Sequence, residues 1–174
     1  ETGLGGRLDA TNVINNPALT VITPISIDHQ QYLGNSITDI AAEKAGILKS
    51  GVKCILAEQL PAVYDLISNR AKEIEAPLIV EKIDWKIKHK FDEFVINSLD
   101  KIRQLKPPSL QGQHQRHNAG VAVAALDHLK GYSISDEAIK KGFSEIEWPA
   151  RLQQLQKGYL YNKVGKNFTL WLDG

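Results

Sequence analysis

Five short stretches of this chain carry side chains able to bind phosphate, hold a cation or move a proton. The first twelve residues read ETGLGGRLDATN, where closely spaced glycines let backbone approach a ligand and Glu1, Arg7, Asp9 and Asn12 supply acid, base and amide groups. Taken alone such a turn is commonplace. It is no triphosphate cradle either, because the G-x-x-x-x-G-K-[ST] pattern occurs nowhere in the chain. The second stretch pairs Asp28-His29 with Glu43-Lys44 downstream; the bland alternative is a turn-capping Asp28, an exposed His29 and a solvated Lys44. The third is His114-Gln115-Arg116-His117-Asn118, whose two histidines stand three apart on one helix. With no CxxC and no third ligand nearby, a zinc site is disfavoured. Trp148-Pro149-Ala150-Arg151 is a rigid corner presenting one guanidinium, and Asp173 is an acid at the end of the last strand-like run.

Hydrophobic periodicity supplies the elements that must position these groups. Leu19 to Ile27 is β-branched and short, a buried strand whose regular part Pro24 ends. From Ser36 as N-cap, residues Ile37, Ile40, Ala41, Ala45 and Leu48 share one helical face, with Gly51 as the stop. A strand at KCILA, a helix over 60–74 and a strand at 77–80 follow. Strand, helix, strand, helix, strand is the pattern of a parallel α/β sheet, in which ligands bind at the carboxyl ends of the strands, where Asp28 and His29 fall. From Ile83 to Phe91 apolar residues alternate with Asp84, Lys86, Lys88 and Lys90, which predicts an antiparallel edge hairpin with FVIN and a solvated lysine face. After the break at Lys106-Pro107-Pro108, helices are expected over 113–129 and 136–146, and strands at RLQQL, YLYNKV and FTLWL.

The composition bounds what such a chain can be. At 174 residues, 43% hydrophobic, it is one globular domain's worth of sequence. Its 21 basic residues against 20 acidic ones leave a net charge of +1, too little field to argue for nucleic acid or an anionic membrane as partner. The longest apolar stretch, Ala119 to Leu126, falls far short of the roughly 20 residues that a membrane span needs. A single cysteine, Cys54, excludes an internal disulfide framework and reads as a small buried thiol, compatible with a cytoplasmic setting. The absence of methionine implies that the chain is processed or cut from something longer.

Taken together and in order, these pieces resemble the folylpolyglutamate synthase / dihydrofolate synthase family, among the Mur-ligase-like ATP-dependent amide synthetases. ETGLGGRLDATNVI is similar to that family's second signature, and TPISIDHQQYLG, IAAEKAGILK, LQGQHQRHNAGVAVAAL, WPARLQ and LDG recur in the family's order. The resemblance implies a three-layer, P-loop-type, mostly parallel sheet flanked by helices, like a Mur ligase central domain, with an antiparallel edge hairpin. It implies an incomplete domain too: residues 1–174 would be the later part of the central ATPase domain, with the Walker A portion upstream and the C-terminal domain beyond.

The implied reaction joins L-glutamate to dihydropteroate or a folate: ATP phosphorylates a carboxylate, and an amine attacks the acyl phosphate. Glu1, His29 and Lys44 match the family's ligands to two Mg²⁺ ions, Lys44 as a carbamate whose two oxygens turn a wrong-charge side chain into a hard ligand. Asn118, Arg151 and Asp173 match residues around ATP, at the adenine, phosphate and ribose; Lys44, His29 and Arg151 would be catalytic. Gln115 and His114 match an adjoining pair. Arg7, Asp9 and Asn12 lie in the signature loop, where pterin contact and loop scaffolding are both open. The stretch between Arg151 and Asp173 is longer than the family's, implying an extended hairpin around residues 158–167. The full-length protein is expected to be a cytoplasmic monomer taking only small-molecule partners, and the isolated chain to be inactive. The alternatives are another Mur-type ligase acting on a UDP-muramyl substrate, or a non-catalytic binding module on the same scaffold.

Overall fold

A computed structural model describes residues 2–164 and 167–173. Three short aliphatic runs form strands β1 (Thr20–Ile22), β2 (Cys54–Leu56) and β3 (Leu78–Val80). They pair in parallel in that order, with Thr20 opposite Cys54 and Cys54 opposite Leu78. Parallel pairing follows because each connection carries helix. Helices α1 (Gln30–Leu33) and α2 (Ile37–Ala45) lie between β1 and β2, and α3 (Pro61–Glu73) between β2 and β3. α2 opens on a capping box, in which Ser36 Oγ accepts from the Asp39 amide and the Asp39 carboxylate accepts from the Ser36 amide. It ends at Ala45, well before Gly51. Its last turn tightens through i→i+3 bonds at Gly46, Ile47 and Leu48, which leave carbonyls near its end to be satisfied from elsewhere.

The expected hairpin is present and gains a third strand. β4 (Trp85–His89), β5 (Phe94–Ser98) and β6 (Lys101–Leu105) form an antiparallel meander with Trp85 opposite Ser98 and Phe94 opposite Leu105. This meander is a sheet of its own, not an edge of the parallel one. Trp85, Phe94, Ile96 and Leu105 are buried, whereas Ile83 and Phe91, which the alternation places inward, lie outside β4 and are exposed. β6 inverts the usual pattern: Ile102 faces solvent and Arg103 is buried.

Helix α4 (Gln113–His128) closes the architecture. On β2, Cys54 and Leu56 pack with Ile40, Val63 and Ile67 of α2 and α3, while Ile55 between them packs with Val123 and Ala124 of α4. Both faces of the parallel sheet are thus covered, giving three layers, and each fully buried aliphatic side chain contributes about 1.5–3 kcal/mol. Burial pushes the Cys54 thiol up to about 11, as suits an inert core sulfur. α4 also lies hard against the meander at Gly120, where a Cβ would come within 2.3 Å of Ile87 Cδ1. Helix α5 (Asp136–Ser144), capped by Ser135, packs on the same core through Ile139. At the end of the chain β7 (Gln153–Leu155) and β8 (Leu170–Leu172) pair antiparallel. Between them Tyr159–Val164 forms helix α6 where a strand was expected. The Lys163 ammonium sits 4.7 Å from the Tyr159 ring centroid, an i,i+4 contact that only the helical form makes. Among the described residues no helix is long and apolar enough to cross a membrane.

Arg103 ties β6 to both later helices. Its Nη1 and Nη2 donate to the two oxygens of Asp127 at 2.8 and 2.7 Å, and its Nε donates to Asp136 Oδ1 at 2.7 Å. The Asp127 side chain is only 3% exposed, so losing the guanidinium leaves a buried carboxylate without its hydrogen-bonded cation and with Lys101 4.0 Å away. Arg103→Ala is expected to cost about 3–5 kcal/mol in urea unfolding, whereas truncating the solvent-facing Ile102 should cost under about 0.5 kcal/mol.

Candidate functional site

The glycine-rich loop is built onto the end of α2. Its Arg7 amide donates to the Glu43 carbonyl (2.8 Å), and Asn12 Nδ2 donates to the carbonyls of Arg7 (2.8 Å) and Gly46 (3.2 Å). The loop therefore adds a second donor to the Glu43 carbonyl, which also accepts from the Gly46 amide (3.3 Å), and supplies one to the Gly46 carbonyl beyond the end of α2. The approach is close enough that a Cβ on Gly46 would meet Arg7 Cβ at 2.4 Å. Arg7 also reaches Glu43 Oε1 through Nη2 (2.9 Å) and Nε (3.1 Å). Within the loop, Asp9 accepts from the amides of Gly3, Leu4 and Thr11 and from the Thr11 hydroxyl. These bonds, the Thr11 hydroxyl foremost, hold the Asp9 carboxyl well below the usual carboxylate range. These bonds tie Arg7, Asp9 and Asn12 into the loop and onto α2, and Asn12 also lines the neighbouring cleft.

Lys44, one residue along from the Arg7 partner, lines a cleft of about 650 Å³ that runs from the loop along the outer edge of β1 to Asn118. Its half-buried amine has no hydrogen-bond or ion-pair partner among the described residues. His29 is placed differently. It sits exposed before α1 in the left-handed region (φ 51°), 3.6 Å from the Asp28 carboxylate, and lines neither this cleft nor its neighbour. Glu1 lies outside the described residues. Among the described residues no three His, Cys, Asp or Glu side chains gather around a metal position, and a magnesium ion asks for six oxygens. Lys44 offers such an ion nothing as an amine and two oxygens as a carbamate.

The adjoining cleft, about 880 Å³, collects residues scattered over 146 positions of sequence: Asp28, Gln115, Asn118, Arg151 and Asp173 all line it. Asn118, Arg151 and Asp173 are thus brought together. Asn118 and Thr23 border both clefts, so the two meet just past the carboxyl end of β1. Thr23 is held there by Gln59, whose Nε2 donates to the Thr23 carbonyl (3.0 Å) and whose Oε1 accepts from the Ile25 amide (3.0 Å), bridging the gap that Pro24 makes in the ladder. Arg151 stands between Ala150 (φ 60°) and Leu152 (φ 44°), and two side chains secure that corner. Gln153 Oε1 accepts from the Ala150 amide and Asp173 Oδ1 from the Leu152 amide, leaving the second Asp173 oxygen for other work.

The two histidines in the first turns of α4 part company. His114 lines the second cleft, and His117 turns the other way to Glu81, with Nε2 to Oε2 at 2.9 Å. Sequence reasoning missed Glu81, Gln59 and Gln153. Nothing local marks them, since each works through a backbone group or a side chain that only the fold brings near.

No family model matches the chain. It is 38% identical over 165 residues to the dihydrofolate synthase/folylpolyglutamate synthase of Bacillus subtilis, covering 90% of this chain and 38% of that protein. Among solved structures, E. coli FolC in complex with DHPP and ADP superposes with a TM-score of 0.81 at 29% identity, over 99% of this chain and 38% of that one. Mycobacterium tuberculosis folylpolyglutamate synthase complexed with ADP superposes with a TM-score of 0.82 at 31% identity, with the same coverage. The chain therefore spans under two-fifths of the length of these relatives.

The loop geometry makes a direct prediction. Asp9→Ala should speed hydrogen exchange at the amides of Gly3, Leu4 and Thr11, leaving those of β2 unchanged. Because the folded carboxyl lies below its ordinary value, the wild-type loop should keep its protection down through the usual carboxylate range near pH 4 and lose it only in stronger acid. Loss of protection already at about pH 5 would contradict the bonding described.

Proposed function

We propose, for a chain that belongs to the dihydrofolate synthase/folylpolyglutamate synthase family, that the protein carrying it is an ATP-dependent ligase. It joins L-glutamate to dihydropteroate, to a folylpolyglutamate, or to both. The convergence of Asn118, Arg151 and Asp173 on one cleft, beside the cleft that Lys44 lines, carries this reading. In the reaction a carboxylate oxygen of the acceptor takes the terminal phosphoryl group of ATP, and ADP leaves. The glutamate amine then attacks the acyl carbon, an amide bond forms and phosphate departs.

Each side chain has a task that its placement suits. Asn118 reads the adenine edge from the first turns of α4. Arg151 offsets charge on the phosphates with its guanidinium. Asp173 keeps one oxygen for a ribose hydroxyl while the other pins the corner that presents Arg151. Lys44 as a carbamate, His29 and Glu1 are assigned to magnesium, which when bound neutralises charge on the transferring phosphoryl group. Residues 1–174 are read as the later part of a central ATPase domain, working with a Walker A segment and a further domain of the same protein. The isolated chain would neither hydrolyse ATP nor form amides, and the full-length protein is read as a cytoplasmic monomer.

Turnover by the full-length protein tests this reading. ATP hydrolysis should depend on dihydropteroate or a folate together with glutamate. Dependence on a UDP-muramyl substrate would move the protein to another Mur-type ligase, and no hydrolysis with either would make it a binding module. Intact mass spectrometry should find one CO₂ added at Lys44, and Lys44→Ala should lower turnover by about two orders of magnitude, the scale of one preorganised electrostatic group. An unchanged rate in Lys44→Ala would sink the Lys44 assignment.

A further inference from the structure

Glu81, directly after β3, is a carboxylate only 6% exposed at the carboxyl end of the parallel sheet. One of its oxygens accepts from the Glu58 amide (2.7 Å) and from His117 Nε2 (2.9 Å). The N-terminal end of α4 has no capping side chain: Gly112 precedes it. The start of the helix is anchored instead by Arg116, which donates to the carbonyls of Lys90 and Phe91, and by His117 on Glu81. Asn118 follows His117 and points about 100° further round the helix, toward the clefts. Fixing the azimuth of one side chain fixes that of the other.

We infer that the His117–Glu81 ion pair is a positioning device for Asn118, holding the first turns of α4 so that nucleotide affinity depends on the protonation of His117. This rests on the reading of the Asn118 cleft as the nucleotide site. The charged and titratable groups around the pair are Glu58 after β2, His89 on β4 and Arg116 on α4 on the His117 side, and Lys82 after β3 on the Glu81 side. The Glu81 hydrogen bond raises the His117 pKa against the opposing effect of burial. Burial, with His117 and Arg116, lowers that of His89, whose ring centroid lies 6.4 Å away. Burial alone would push the Glu81 carboxyl up, but the bonds from His117 and the Glu58 amide hold it below its ordinary value. The pair is therefore fully charged below the ordinary imidazole value of about 6.5. It loses its cation as pH rises through the higher folded value, leaving the buried Glu81 carboxylate without the charge hydrogen-bonded to it.

The test is calorimetric titration of the full-length protein with ADP from about pH 6 to about pH 9, comparing wild type with His117→Gln, which keeps an N–H for Glu81 and cannot titrate. Over that range wild-type affinity should weaken roughly fivefold more than that of the variant, the low end of coupling between linked sites. Glu81→Gln, which removes the anion, should flatten the profile likewise and serves should His117→Gln fail to fold. If Asn118→Ala weakens ADP binding but wild type and the foldable variant share one pH profile, the positioning role is wrong and the nucleotide site stands. If Asn118→Ala leaves ADP affinity unchanged, the site itself is misassigned and the inference falls with it.

Discussion

The end of α2, where the glycine-rich loop docks on the carbonyls of Glu43 and Gly46, is the constraint on which the rest of the site depends. A helix that ran on to Gly51 would bond the Gly46 carbonyl internally and give the Asn12 amide group nothing to hold there. Because α2 ends at Ala45, the Arg7 amide and the Asn12 amide group complete its terminus, and Gly46 lets the two segments touch. Lys44 sits inside that junction. Its amine lines a cleft beside that loop and has no bonded partner among the described residues, while Arg7 pairs with the neighbouring Glu43.

A second economy is the double use of α4. One face of the helix buries Val123 and Ala124 against the parallel sheet, and Gly120 brings the meander to contact distance. The opposite end of the same helix carries Asn118, which with Thr23 borders both clefts. The meander therefore bears on the site through packing at Gly120 and through hydrogen bonds, from Arg116 to the Lys90 and Phe91 carbonyls and from Arg103 to Asp127. Arg103 secures the far end of α4 through Asp127, and His117 secures the near end through Glu81.

Much of the scaffold could be read along the chain. The parallel strands, the Ser36 cap, α3 and α4 fell within a residue or two of their predicted bounds, because buried aliphatic runs and amphipathic periods are local signals. β6 escaped because its inward residue is a charged Arg103, acceptable only with two aspartates from elsewhere in the chain. Tyr159–Val164 read as a strand by composition and folded as a helix with its own i,i+4 contact. Asn118, Arg151 and Asp173 were legible only through resemblance, since nothing in their spacing says that they meet.

What the amino-acid order determined by itself was therefore the local currency of the fold: periodicity, caps, the stop at Pro24, and the chemical types available for a phosphate-handling site. Tertiary structure alone decided the partnerships. It turned His117 away from His114 and onto Glu81, spent Asp9 on its own loop, and set Asp173 to hold the Arg151 corner. The physical reason is that these interactions join groups whose desolvation is tolerable only once the partner has arrived, and the partner arrives by packing of distant elements, which no local pattern encodes.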